Sequence, residues 1–194
     1  KWAFASASGS ATKIGGTIPV TSGKWYFEVY VTDLVTYLII GIADLSWFEG
    51  TPNSLIGYTY DGSLVRYGTT TSSENSYTDG DIIGIAYDLD GSTMKCYKNG
   101  TLEGTISGTW SNTSMPVPAV QGNTSDVVFL NFGTRPTFNN STTAGGNTDG
   151  NGIGNFKYAV PSGYLALCAA NLPTPTIENP RDHYNTVTYT GNGS

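Results

Sequence analysis

The stretch from Gly80 to Gly100, GDIIGIAYDLDGSTMKCYKNG, limits the fold more than any other part of the chain. Ile83, Ile85 and Tyr87 alternate with Gly84, Ala86 and Asp88. A period of two puts the large side chains on one face of a β-strand. The small residues opposite let another layer approach closely. Asp90-Gly91 supplies a tight turn, because both residues tolerate positive φ. A second strand follows, with Met94 and Cys96 on one face and Lys95 and Tyr97 on the other. Asn99-Gly100 then turns the chain into residues 101–106, and Asn-Gly between alternating runs is the strongest short hairpin signal. Two consecutive hairpins are therefore expected.

The rest of the chain keeps this grammar. WYFEVYV, residues 25–31, places Trp25, Phe27, Val29 and Val31 on one face and Tyr26, Glu28 and Tyr30 on the other. YLIIGIA, residues 37–43, has almost no polar residue and reads as a strand buried on both faces. Residues 55–60 and 63–67 form a hairpin across Asp61-Gly62, and 116–121 and 127–132 are two more strands. Residues 1–20 alternate weakly and read as edge strands. Residues 69–79 read as a polar loop, and the low-complexity run NNSTTAGGNTDGNGIGN, residues 139–155, as a long mobile loop. A last strand or packed segment is expected over 164–168. Helix formers never cluster at helical spacing. Many short strands between turns imply an all-β, two-layer sandwich of ten or more strands over residues 1–170, with no substantial helix. Residues 171–194 are Pro-rich at first and read as an extended arm or the start of a further β segment.

Charge excludes several functions. Lys and Arg total nine, scattered singly, and the formal net charge is −6. Phosphate neutralisation by a nucleic-acid binder needs the opposite balance. An anionic membrane surface is disfavoured for the same reason, and no apolar run is long enough for a membrane-spanning helix. Only 12% of residues are charged, so the polarity comes from hydroxyls and amides, as in many extracellular and virion-surface β-proteins. The chain starts at Lys1 and ends on Gly-Asn-Gly-Ser, which reads as a piece of a longer polypeptide. Cys96 and Cys168 lie in apolar runs and are expected as buried free thiols, a disulfide requiring neighbouring strands.

Taken together, several segments are similar to the SPRY domain family. They are SGKWYFEV (22–29), GIA (41–43), GYTYDG (57–62), GDIIGIAYD (80–88), YKNG (97–100) and LNFG (130–133), followed by Phe156, PSGY (161–164) and Leu167-Cys168. They run in the family's order from about residue 20 to 168. Cys96 departs from the bulky residue often found at that position. The resemblance implies a bent antiparallel, concanavalin-like sandwich and a binding module without catalytic activity. Its ligands would be protein segments held by loops at one end, here 44–54, 68–79, 108–114 and 122–125. The tail, residues 169–173 with 180–194, resembles SPRY-bearing bacteriophage proteins. That implies a virion-surface protein of a tail, fibre or capsid, which binds a host component or neighbouring subunits.

Candidate sites follow from residue chemistry. The single histidine, His183, lies in the tail, so no Cys-His or Ser-His-Asp set is available within the sandwich. Glu49 stands alone as an acid in an aromatic loop, and one carboxylate is no acid/base pair. No enzyme is expected. The loop aromatics Trp47, Phe48, Tyr77 and Trp110, with Glu49 and Asn112, are the candidates for contact with a protein or glycan ligand. Edge packing is the competing role for the tryptophans and Phe48. Asn147, Asp149 and Asn151 carry oxygens at alternate positions, as calcium loops do, but lack a distal glutamate. Turn chemistry is the competing role there, and no other cofactor is expected. The partners left open are a protein or glycan, a lectin-like role included, a second copy or virion subunits, in a virion-surface or extracellular setting. An intracellular peptide-binding adaptor is the alternative that the family also implies.

Overall fold

In the computed structural model, residues 2–3, 12–48, 54–110, 115–123, 125–173 and 190–193 are described. Thirteen strands form two sheets. They are β1 (Trp2–Ala3), β2 (Thr12–Gly15), β3 (Lys24–Asp33), β4 (Leu38–Asp44), β5 (Leu55–Thr59), β6 (Ser63–Arg66), β7 (Thr69–Ser73), β8 (Ile82–Asp88), β9 (Thr93–Lys98), β10 (Thr101–Ser107), β11 (Pro116–Gly122), β12 (Val127–Asn131) and β13 (Leu165–Ala166). The first sheet has the order β1-β12-β3-β8-β9-β10, with the two-residue β13 parallel to β3. The second has the order β2-β11-β4-β5-β6-β7. The only helical segments among the described residues are two 3₁₀ turns, Leu45–Trp47 and Ala169–Asn171.

The hairpin pair opens the first sheet as its alternation requires. Ile83, Ile85 and Tyr87 of β8 point into the main core with Met94 and Cys96 of β9. Phe27, Val29 and Val31 of the neighbouring β3 join them. Facing them from the second sheet are Leu38, Ile40, Ile42, Ile56, Tyr58 and Leu64. Asn99 and Gly100 both take positive φ, 50° and 81°, as the Asn-Gly turn demands. The first turn is made differently. Ser92, not Gly91, takes positive φ, and the Gly91 amide donates to Asp88 Oδ1.

Three expectations are corrected. Residues 69–73 are a strand, not a loop: the left-handed pair Tyr67-Gly68 turns the chain and Thr69–Ser73 ladders onto β6. Threonine is β-branched, so a Thr-rich run tolerates extended backbone even with every side chain in water. The run 139–155 is largely exposed but tied down by hydrogen bonds, Asn147 bridging to Phe156 and Asp149 accepting from four donors. Phe138 and Phe156 on either side of it are fully buried, and Asp149 within it is 6% exposed. Cys168 is half-buried, whereas Cys96 is sealed in the core; both are free thiols. Burial pushes the Cys96 thiol far up, so it stays protonated.

Candidate functional site

The two outer faces of the sandwich are finished in different ways. On the first sheet, Tyr26, Glu28 and Tyr30 of β3 point away from the core, as their alternation predicts. Glu28 sits between Gly84 of β8 and Asn131 of β12. The missing side chain at Gly84 makes room for the Tyr26 ring, whose hydroxyl is 2.7 Å from where a Cβ would lie. Residues 133–168 close over this face. Tyr26, Ala86, Phe156, Tyr164 and Ala166 form one small core there, and Ile82, Phe129 and Phe138 another.

Glu28 fastens the covering layer. Its carboxylate is fully buried and accepts from the Lys157 and Tyr158 amides, both at 2.9 Å. The Tyr26 hydroxyl and the Asn131 amide donate to it at 3.2 Å. Burial holds its carboxyl above the usual range despite these donors. Asp149 is the second fastener. Its Oδ1 accepts from the Asn151 and Ile153 amides, and its Oδ2 from the Ala166 amide and Asn171 Nδ2. Both oxygens of the calcium candidate are thus engaged by donors. Asn147 donates to the Phe156 and Lys157 carbonyls, and the Asn151 side chain to Asn171. Among the described residues no three acidic, histidine or cysteine side chains gather to hold a metal.

On the second sheet the outer face of β4 and β5 is also buried, but under a shorter cap, and among the described residues no third layer covers it. Gly41 of β4 and Gly57 of β5 are directly paired. A Cβ on Gly41 would lie 2.0 Å from the Ile56 carbonyl oxygen, and one on Gly57 2.5 Å from Ile39. Both glycines are buried, and the pair lets β4 and β5 approach closely between Ile39 and Leu55. One end is capped by the 3₁₀ turn that Asp44 starts by accepting from the Ser46 amide. Trp47 folds back onto Ile39, Ala43, Leu55 and Ala119. Lys13 Nζ lies 4.5 Å from the centre of its ring and donates to its carbonyl. Phe48 meets Trp47 edge-on at 4.9 Å and covers Gly15, where a Cβ would strike its ring. Beyond this cap a groove of about 210 Å³ stays open, lined by Tyr37, Ile39, Trp47, Leu55, Val65 and Gln121 with Gly68. Among the described residues no charged side chain lines it.

The candidate residues from sequence do not converge on one place. Trp47 is 4% exposed and forms one wall of the groove. Phe48 is half-buried beside it. Tyr77 is 3% exposed, and its hydroxyl lies 2.9 Å from the Leu38 carbonyl and 3.1 Å from that of Tyr58, so it is a core residue with no surface to offer. Trp110 is half-buried against the main core. Glu49 and Asn112 lie outside the described residues.

The four loops assigned to one end sit at both. Met115, just past the 108–114 loop, donates to Asp44 at the start of 44–54 at one end. Leu34 donates to Asp79 and Val35 to Asp126, joining the end of 68–79 and the 122–126 turn at the other. The antiparallel register of β4 and β11, Pro116 opposite Asp44 and Gly122 opposite Leu38, separates the two sets by the length of the strands. The groove runs between them. Tyr37, Ile39, Val65 and Gln121 were missed as site residues.

A second concavity, about 270 Å³, opens on the seam between the sheets, with Ile18, Pro118, Phe132, Leu167 and Cys168 in its walls. No helix among the described residues is long and apolar enough to cross a membrane.

Among solved structures, the SPRY domain of human HERC1 is similar to this chain. The TM-score is 0.51 and the identity 21%, over 62% of this chain and 79% of that one. No protein-family model matches the chain, and no curated protein matches it. The likeness establishes a SPRY-like β-sandwich fold.

Proposed function

We propose that this chain is a non-catalytic recognition module that binds an uncharged, apolar-anchored protein segment in the groove on the outer face of the second sheet. The observation that carries this reading is the groove itself. It has an apolar floor, two aromatic walls in Tyr37 and Trp47, and two polar groups, the Tyr37 hydroxyl and the Gln121 amide, to orient a ligand. Trp47 reaches the site from a loop, and Tyr37 from the connection between β3 and β4. A rigid sandwich holds both, so the binding surface is formed before the ligand arrives. SPRY-type folds serve as protein-binding modules, which agrees with this use.

The setting we favour is a virion-surface protein that binds a host component or a neighbouring subunit. Its support is the resemblance of residues 169–194 to phage proteins. An intracellular adaptor fits the same fold and the same groove equally well. Selection of displayed random peptides on the wild-type chain, in parallel with a glycan array, tests the binding class. Peptides with one buried aliphatic or aromatic anchor are expected. Their affinity should fall about tenfold or more, about 1.4 kcal/mol, with Val65→Lys. Binders indifferent to both Val65→Lys and Tyr37→Ala, or glycan ligands alone, would overturn the reading.

A further inference from the structure

The second sheet ends in β7, Thr-Thr-Thr-Ser-Ser, and all five residues are exposed. Only the ladder to β6 holds it, and among the described residues no strand pairs with its other edge. The strand overhangs the sandwich. It buries no apolar side chain in return for being ordered. An extended, uncharged edge of this kind is a template for a further strand.

The other edges are blunted. β10 carries Glu103 and a register break between Leu102 and Gly104. β2 is four residues long and carries Lys13. β1 and β13 have two residues each. β7 also has a register break opposite Leu64 and Val65, which adds twist, but it has neither charge nor proline. Its flanks differ in sign. Arg66 of β6 pairs with Thr69 at one end, and Glu74 follows Ser73 at the other.

We propose that the free edge of β7 pairs antiparallel with β7 of a second copy, joining two second sheets into one continuous sheet across a two-fold axis. The Arg66 and Glu74 side chains both turn toward β10 and leave the edge free of charge, and the antiparallel arrangement is the one that a two-fold axis normal to the sheet generates. Threonine and serine opposite one another form favourable cross-strand pairs. One short, self-complementary patch is what a two-fold contact requires. The groove opens on the outer face, not on this edge, so the dimer leaves it accessible and carries two copies facing the same way.

Sedimentation velocity over a wide concentration range tests this, comparing wild type with Thr70→Lys/Ser72→Lys. Both positions are exposed, so the variant should keep the wild-type melting curve, and circular dichroism checks that. The expected result is a concentration-dependent wild-type dimer whose dissociation constant rises about tenfold or more in the variant. A wild-type chain that stays monomeric throughout would overturn the proposal. A dimer that survives both lysines with the fold intact would overturn it too.

Discussion

The two outer faces of this sandwich start from the same chemistry and end in opposite states. Each is a row of residues alternating with core residues, and each contains a glycine that lets something approach. On the first sheet, Gly84 admits Tyr26, and residues 133–168 seal the face through Glu28 and Asp149. On the second, Gly41 and Gly57 are buried in close strand pairing, and beside the short aromatic cap a groove stays open at Tyr37 and Val65. Buried carboxylates therefore mark the sealed face, and the face that keeps a groove is the one we propose for a partner. Acidic residues in a cleft usually invite a catalytic reading. Here they serve as acceptors for the amides of an otherwise irregular layer, the accounting that a buried loop must satisfy.

Breaking the sealed face should have the largest effect. Glu28→Ala leaves the Lys157 and Tyr158 amides, the Tyr26 hydroxyl and one Asn131 donor without their acceptor. A loss of about 3 kcal/mol or more is expected in urea unfolding, with amide exchange rising first over 133–168. Gly41→Ala follows at about 2–3 kcal/mol, because the added Cβ would force the strands apart at the Ile56 carbonyl. A melting curve equal to wild type would show that the close pairing under the groove is dispensable. Asp149→Ala should cost about 1–3 kcal/mol. Added calcium should leave the melting temperature of the wild type unchanged, since donors already engage both oxygens.

The two fasteners should also respond to pH in opposite senses. Burial raises the Glu28 carboxyl above its unfolded value. Its contribution to stability is therefore complete below the unfolded pKa and is lost as pH rises through the folded one. At Asp149 burial also pushes upward, but the donors from Ala166, Ile153, Asn171 and Asn151 outweigh it and hold the carboxyl low. Its stabilisation is present above the unfolded pKa and is lost as pH falls through the folded one. Acidifying from neutral to about pH 5 should thus raise wild-type stability relative to the flatter profile of Glu28→Gln. A steeper rise in Glu28→Gln would refute the assignment. The smallest effect is at the cysteines: a thiol reagent should label Cys168 in the folded chain and reach Cys96 only in denaturant.

The sequence was legible wherever period two and turn chemistry agree. The faces of β3, the double burial of β4 and the Asn99-Gly100 hairpin follow directly from alternation and from Asn-Gly, whereas the first turn takes its positive φ at Ser92, one residue past Asp90-Gly91. Composition misled where polar residues were counted as solvated. The run 139–155 looks disordered because it is rich in Gly, Asn and Thr. It is tied down by an acceptor of its own, Asp149, whose partners include Ala166 and Asn171, and Glu28 fastens Lys157 and Tyr158 just after it. No local pattern predicts such bonds. Tyr77 looked like a loop aromatic for the same reason, while its hydroxyl reaches carbonyls at Leu38 and Tyr58. Of the site, Trp47 and Phe48 were legible as aromatics on a loop. The groove beside them depends on cross-strand register, Gln121 against Ile39 with Leu55 and Val65 from the next strands, which emerges only when the strands are paired.

The central claim is that the second sheet's outer face receives the ligand and the first sheet's does not. Hydrogen exchange of the chain with and without a selected peptide tests this directly. The account predicts slowed exchange around residues 37–39, 55, 65–68 and 121, with 133–168 unchanged. Protection confined to 133–168, or to the seam around 16–18 and 167–169, would contradict it.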